Sequence, residues 1–288
     1  MSEINILEIE GLRKQYTGFA LDNVNFSLPT GSIMGLIGEN GAGKTTIIKL
    51  ILNLIRRDSG SIRIFGLDNI KDEKEIKAQL GVVLDESCFH DTLNAKDISR
   101  MLKQIYIGQW DDPLYQQYLN RFSLPADKIV KEYSRGMKMK LSIAAALAHH
   151  PRLLILDEAT SGLDPVVRSE ILDVFFDFIQ DESRAILMSS HITTDLERIA
   201  DYITFISAGK IVFSDTKDNV LEHYGIVKCS ASECGKLDRS QIVAVRKNSF
   251  GCEALTKNRR EFKARYPEYT VDSATLDDIM LFYSKGEK

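Results

Sequence analysis

"GENGAGKT", Gly38 to Thr45, decides the fold. It matches the spacing G-x-x-x-x-G-K-[ST], and the chain on either side supplies the context such a loop requires. Ahead of it, "SIMGLI" (32–37) reads as a short buried strand; behind it, "KTTIIKLILNLI" (44–55) carries apolar residues at helical spacing. A strand feeding a glycine loop that opens a helix turns successive backbone N–H groups toward an anion and adds the partial positive charge of the helix N-terminus. Gly38, Asn40, Gly41, Ala42, Gly43 and Thr46 form the cradle, Lys44 reaches the outer phosphates, and the Thr45 hydroxyl can ligate Mg²⁺. The stretch therefore predicts a nucleoside triphosphate site.

"LLILDE", Leu153 to Glu158, supplies what that site lacks. Four apolar residues predict a buried strand ending in two carboxylates, at the strand edge where open α/β sheets bind ligands. Asp157 suits the magnesium ion, directly or through water. Glu158 suits a general base, because phosphoryl transfer depends on holding the attacking water in line. Taken alone, a strand-end "DE" is a solvated turn.

A third stretch, "KEYSRGMKMK" (131–140), places Ser134 and Gly136 ahead of a helix that is polar in front and apolar behind. Free N–H groups at a first turn, a hydroxyl beside them and a glycine make a second anion site. One nucleotide does not ordinarily need two such helix ends from one subunit. The second end is therefore expected to meet the γ-phosphate of a nucleotide held by another copy, in a symmetric head-to-tail pair burying two ATP molecules.

In this order, "GENGAGKT", "YSRGM", "LLILDEATSGLDP" and "SSH" resemble the nucleotide-binding subunit of ATP-binding cassette (ABC) transporters, over about residues 4 to 215. The resemblance implies ATP and Mg²⁺ as cofactors, and places Ser134 and Gly136 in the family's signature. It puts Tyr16 where an aromatic stacks on adenine, and Asp164 of "SGLD" in the loop that crosses to the other subunit. It makes His191 the switch histidine that contacts the γ-phosphate, alongside Lys44 and Glu158 in catalysis. Tyr133, Arg135 and Met137 depart from the signature at permissive positions. A further departure is Asp85, followed by Glu86, where the family has a magnesium-coordinating glutamine. Its oxygen still suits a hard cation, at the cost of negative charge near the γ-phosphate; as a plain residue it is a strand-end acid. Tyr16 and His191 likewise have structural readings, as an exposed strand-end tyrosine and a histidine after a strand.

The remainder is consistent with a globular protein of ordinary composition. With 288 residues, 44% hydrophobic, and a net charge of −4, there is no global electrostatic reason to expect nucleic acid. "KNRREFKAR" (257–265) puts five positive charges in nine residues and reads as a solvated helical face. Cys88, Cys229, Cys234 and Cys252 show no CxxC spacing, so reduced thiols are expected. His149 and His150, before Pro151, read as charged caps of a helix C-terminus. No apolar run approaches the roughly 20 residues of a membrane span. The resemblance to the ABC family then implies a separate transmembrane permease, with this chain peripheral on the cytoplasmic face of the cell membrane.

The expected fold class is α/β: a P-loop NTPase core with an N-terminal antiparallel β subdomain and a helical subdomain, plus a small C-terminal α+β extension. The expected boundaries are 1–219 for the ATP-binding domain, with its helical part at about 87–150, and 220–288 for the accessory domain. "RLLILDE", "RAILMSS" and "DYITFISAGKIVF" read as three strands of a parallel sheet covered on both faces. By resemblance the helical arm around 87–106 receives a short helix from the permease. The single cassette and the ending "TLDDIMLFY" look most like exporters of the ABC-2 group, within it a peptide exporter of the phenol-soluble-modulin kind. The competing class is a soluble cassette ATPase that transports nothing, such as an iron-sulfur assembly ATPase. A nucleotide-gated module without turnover would lack the base that Glu158 supplies.

Overall fold

The computed structural model describes residues 4–85, 89–235, 237–248 and 251–286. The first half of the chain holds β1 (Asn5–Tyr16), β2 (Phe19–Pro29), β3 (Ile33–Ile37), α1 (Lys44–Ile51), β4 (Ser59–Ile64), β5 (Leu67–Asp68), α2 (Glu73–Lys77), β6 (Leu80–Val83), α3 (Ala95–Ile105), α4 (Asp112–Arg121) and α5 (Arg135–Leu147). It continues through β7 (Leu153–Asp157), α6 (Pro165–Ile179), β8 (Ala185–Ser190), α7 (Thr193–Ile199), β9 (Tyr202–Ser207), β10 (Lys210–Thr216) and α8 (Lys217–His223). The last part holds β11 (Gly225–Cys229), α9 (Ala231–Cys234), β12 (Ile242–Asn248), β13 (Gly251–Thr256), α10 (Arg259–Arg265), β14 (Thr270–Ser273) and α11 (Leu276–Lys285).

Three sheets result. A central sheet has the order β10-β9-β3-β8-β7-β6, and β3, β6, β7, β8 and β9 run parallel. Every residue of β3, β7 and β8 is buried, which is why these strands are continuous apolar runs rather than alternating ones. The N-terminal sheet, β2-β1-β4-β5, is antiparallel. It alternates buried and exposed residues and packs its apolar face with α1, through Leu7, Leu28, Ile47 and Ile62.

"DYITFISAGKIVF" is a hairpin, not one strand. Ala208 (φ 45°) and Gly209 (φ 77°) turn the chain back, so β10 pairs antiparallel with β9. A Cβ on Gly209 would lie 1.8 Å from the Ala20 carbonyl oxygen. The turn is therefore wedged against β2, and only glycine fits both its φ and its space.

The helical arm is α3, α4 and α5. An Asn94/Asp97 capping box starts α3, and the Asp111 side chain, accepting from the Leu114 N–H, starts α4. Helix α5 is buried along nine consecutive residues, Met139 to Leu147, so the small residues of "LSIAAALA" are packing choices between the arm and the central sheet. At its end His149 corrects the expectation of a charged cap. It is buried, stacked on Tyr106 at 3.9 Å between ring centroids, and its Nε2 donates to the Leu80 carbonyl at 2.9 Å. Burial lowers its pKa to about 4, so the ring is neutral. His150 is the exposed one and pairs with Asp111 at 3.0 Å.

The C-terminal sheet, β12-β13-β11-β14, is antiparallel throughout. The expected boundary at 219/220 falls inside α8. Strand β13 and the short helix α9 were not read from sequence. This region has a small core of its own around Val227, Val245, Ala254 and Phe262. Its other apolar face, with Leu276, Ile279 and Phe282 of α11, is continuous with the core under α6, α7 and β8. The Leu276 N–H donates to Glu197 of α7 at 2.8 Å, and the hydroxyls of Tyr224 and Tyr283 meet at 3.0 Å. Cys234 and Cys252 form a disulfide, which corrects the expectation of reduced thiols for this pair. Their spacing of 18 carries no motif; the fold brings their Cα atoms to 6.1 Å, within bridging range. Cys229 is a free, half-buried thiol, and Cys88 lies outside the described residues.

Candidate nucleotide-hydrolysing site

The loop between β3 and α1 is shaped by glycines with distinct duties. Gly41 (φ 81°) and Gly43 (φ 118°) occupy the left-handed region that side chains disfavour. A Cβ on Gly38 would stand 2.4 Å from the Ile206 carbonyl oxygen, and one on Gly43 would stand 2.6 Å from Leu21. The loop thus lies directly on β9 and β2. Gly43 occupies the N-cap of α1 without any side-chain cap, so the helix's first N–H groups face the loop interior. Asn40 and Gly41 are exposed, Ala42 is buried, Thr45 is exposed and Thr46 half-buried.

Lys44 is buried and points back into this loop. Its Nζ donates to the Gly38 carbonyl at 2.7 Å and the Glu39 carbonyl at 3.3 Å, and it stands 3.5 Å from Glu158 Oε1. The other Glu158 oxygen, Oε2, receives His191 Nδ1 at 2.6 Å. Lys44, Glu158 and His191, distant in sequence, therefore form one continuous chain beside the glycine loop. An ionised Glu158 can only accept, so the proton on that contact belongs to Nδ1. The imidazole's Nε2 then donates only when the ring is protonated.

Asp157 and Glu158 have opposite environments. Asp157 ends β7 and is 5% exposed; its Oδ1 accepts from the Ser189 hydroxyl at 2.5 Å. Glu158 has left strand geometry, with φ 55°, and its N–H donates to the carbonyl and hydroxyl oxygens of Ser189 at 3.1 Å and 3.2 Å. Ser189, which sequence reasoning passed over, thus holds the Asp157 carboxylate and the Glu158 backbone in place. Its only signal was adjacency to His191 in "SSH". Among the described residues no group of three or more His, Cys, Asp or Glu side chains could hold a metal by itself. That donor set fits magnesium, which takes one or two protein oxygens and completes its shell with water and substrate phosphate; Thr45 and Asp157 are the available oxygens.

The residues expected to act on a second copy lie apart from this chain of contacts. Ser134 is the exposed N-cap of α5, its hydroxyl accepting from the Met137 N–H at 3.2 Å. Gly136 leaves room for Val167, which a Cβ there would meet at 3.3 Å. Asp164 is the N-cap of α6, accepting from the N–H groups of Val166 and Val167 at 3.1 Å and 3.0 Å, so it has a structural duty whatever else it does. Tyr16, at the end of β1, is 40% exposed, with the Lys14 ammonium 5.6 Å from its ring centre. Asp85 just beyond β6 makes an ion pair with Arg135 at 2.8 Å; its neighbour Glu86 lies outside the described residues.

Known proteins resemble this chain in sequence and fold. The ABC transporter family profile matches residues 21–161. The lantibiotic transport ATP-binding protein SrtF of Streptococcus pyogenes is 37% identical over 217 residues, 74% of this chain and 92% of that one. The bacitracin transport ATP-binding protein BcrA of Bacillus licheniformis is 35% identical over 210 residues, 72% of this chain and 68% of that one. A solved structure described as the ATP-binding subunit of an ABC transporter superposes with a TM-score of 0.68 at 27% identity, covering 75% of this chain and 91% of that chain. With a phosphate loop, a carboxylate pair and a histidine assembled at one edge of its central sheet, this chain belongs to the ATP-binding proteins of the ABC transporter family and is an ATPase.

Proposed function

We propose that the chain is the hydrolysing subunit of an exporter, working as a homodimer that encloses two ATP molecules and drives a separate transmembrane permease. The carrying observation is the contiguous set Lys44–Glu158–His191 beside the glycine loop. Lys44 exchanges its carbonyl contacts for the outer phosphates; Glu158 orients the attacking water and takes its proton; His191 meets the γ-phosphate. Thr45 and Asp157 hold Mg²⁺, which when bound neutralises developing phosphate charge. The Asp85 carboxylate is engaged by Arg135, so Asp85 serves the ion only if that pair opens. Tyr16 supports adenine. Ser134, Gly136 and Asp164 face the partner copy's nucleotide.

Relatives named for bacitracin and lantibiotic transport support peptide-like cargo, and a phenol-soluble-modulin exporter is one member of that class. No helix among the described residues is long and apolar enough to cross a membrane, which agrees with a peripheral subunit on the cytoplasmic face of a permease. Residues 1–219 form the ATP-binding domain in this reading, with 220–288 as an accessory domain. The same relatives weigh against a soluble iron-sulfur assembly role.

Glu158→Gln tests the site. Phosphate release should fall by about 10²-fold or more, in the range expected for loss of a general base, while nucleotide binding measured by titration calorimetry stays within a few-fold of wild type. Unchanged turnover would remove Glu158 as the base.

A further inference from the structure

Arg135 is a residue to which neither the phosphate loop nor the carboxylates assign a role. It is the first residue of α5, where the helix dipole disfavours a cation, and the first turn of α5 contains no acidic residue to offset it. Its guanidinium instead makes one ion pair outside the helix and passes close beside a glycine. One Nη donates to Asp85 Oδ1 at 2.8 Å. The other lies against Gly162, where an added Cβ would meet Nη1 at 2.7 Å; Gly162, at φ 67°, is in the left-handed region as well.

One of the two elements so brought together is the turn that begins at the Glu158 carboxylate, and the other is the segment leaving the neighbouring strand. Strands β6 and β7 run parallel with Val83 paired to Leu156. Asp85 comes two residues after Val83, and Glu158 two residues after Leu156. Gly162 is in the turn that begins at Glu158, where the Ser161 N–H donates to the Glu158 carbonyl at 3.0 Å, and that ends at the Asp164 cap. An arginine suits such a bridge because its planar fork contacts two groups at once in fixed geometry, which lysine cannot do.

We propose that Arg135 is a positioning residue for ATP hydrolysis: paired with Asp85, it holds the 158–164 turn, and with it the Glu158 carboxylate, against the segment leaving β6. The acid at 85 and the arginine at 135 are then one device. The Asp85 carboxylate is compensated by the guanidinium across from it. Both side chains are about half exposed, so the pair adds little to overall stability and its effect lies in turnover. It also makes turnover sensitive to ionic strength, since exposed charges are screened by salt.

The inference rests on Glu158 as the base, and steady-state hydrolysis of the full chain separates the two. Arg135→Gln and Asp85→Asn should each lower kcat about fivefold with KM for ATP within twofold, and the double variant should fall no further. Arg135→Lys should recover only part of the loss. The reversed pair, Asp85→Arg with Arg135→Asp, should exceed Arg135→Asp alone. Raising salt from about 0.1 to 1 M should lower wild-type kcat and leave the single variants unchanged. Multiplicative losses in the double variant, a reversed pair no better than its single, or an unchanged kcat in Arg135→Gln beside an inactive Glu158→Gln would each overturn the bridge. Full activity in Glu158→Gln would instead overturn the reading of the base.

Discussion

Glu158 pays a conformational cost that Asp157, one residue earlier, does not. A non-glycine residue at φ 55° is strained by about 1–3 kcal/mol, and here Ser189 holds it from two sides while Lys44 and His191 take one carboxylate oxygen each. The strain turns the side chain out of the sheet toward the glycine loop. The two stretches "GENGAGKT" and "LLILDE" name the residue types of the site, and the fold brings Lys44 of the first to 3.5 Å from Glu158 of the second. The holding residues were not legible in the sequence: Ser189 and Arg135 act through contacts 31 and 50 positions away, which no local pattern shows. Asp164 gives a test at the same scale. Because its side chain caps α6, Asp164→Ala should lower unfolding free energy by about 1 kcal/mol, whereas Asp164→Asn, an equally good cap, should leave it within about 0.3 kcal/mol. Urea denaturation of the three proteins decides it, and equal losses in both variants would make the charge, not the cap, the stabilising feature.

Among the elements, those with strong periodicity or continuous apolar runs were readable. Helix α5 and strands β3, β7 and β8 fall where the apolar spacing puts them. The hairpin of β9 and β10 was missed because its turn is the short stretch "SAGK" between Ile206 and Ile211, and the close approach of Gly209 to Ala20 is visible only in three dimensions. The end of α5 was misread for a related reason. Two adjacent histidines at a helix C-terminus look like charged caps, but the sheet covers one of them. His149 has a folded pKa of about 4, below its unfolded value near 6.5, so the unfolded chain binds the extra proton between those values. Its contribution is therefore complete above about pH 6.5 and is lost as pH falls toward 4, by up to about 3 kcal/mol. Denaturation between pH 7.5 and 4.5 should show the stability difference between wild type and His149→Gln shrinking as pH falls. A difference independent of pH would mean that His149 is not buried as a neutral ring.

At the scale of the whole molecule, one core runs from the arm through the central sheet to α11. The C-terminal region is therefore not a loosely tethered appendage. Its helix α11 packs against α7, the helix that begins two residues after His191, and Glu197 of α7 receives the first N–H of α11. The sequence of α11 does not show this docking partner, since its apolar face does not name what it covers. Ser134 and Val166, the latter 68% exposed, lie on the surface beside the cap of α6. A head-to-tail pair would cover it and bring each Ser134 to the other copy's phosphate loop. The most direct test is the solution mass of Glu158→Gln by light scattering, with and without ATP and Mg²⁺, over a range of protein concentrations. The mass should double only when ATP is bound, and adding Ser134→Arg should abolish the doubling while nucleotide still binds. A mass that stays monomeric with ATP demonstrably bound, at concentrations well above those of binding, would contradict the shared site.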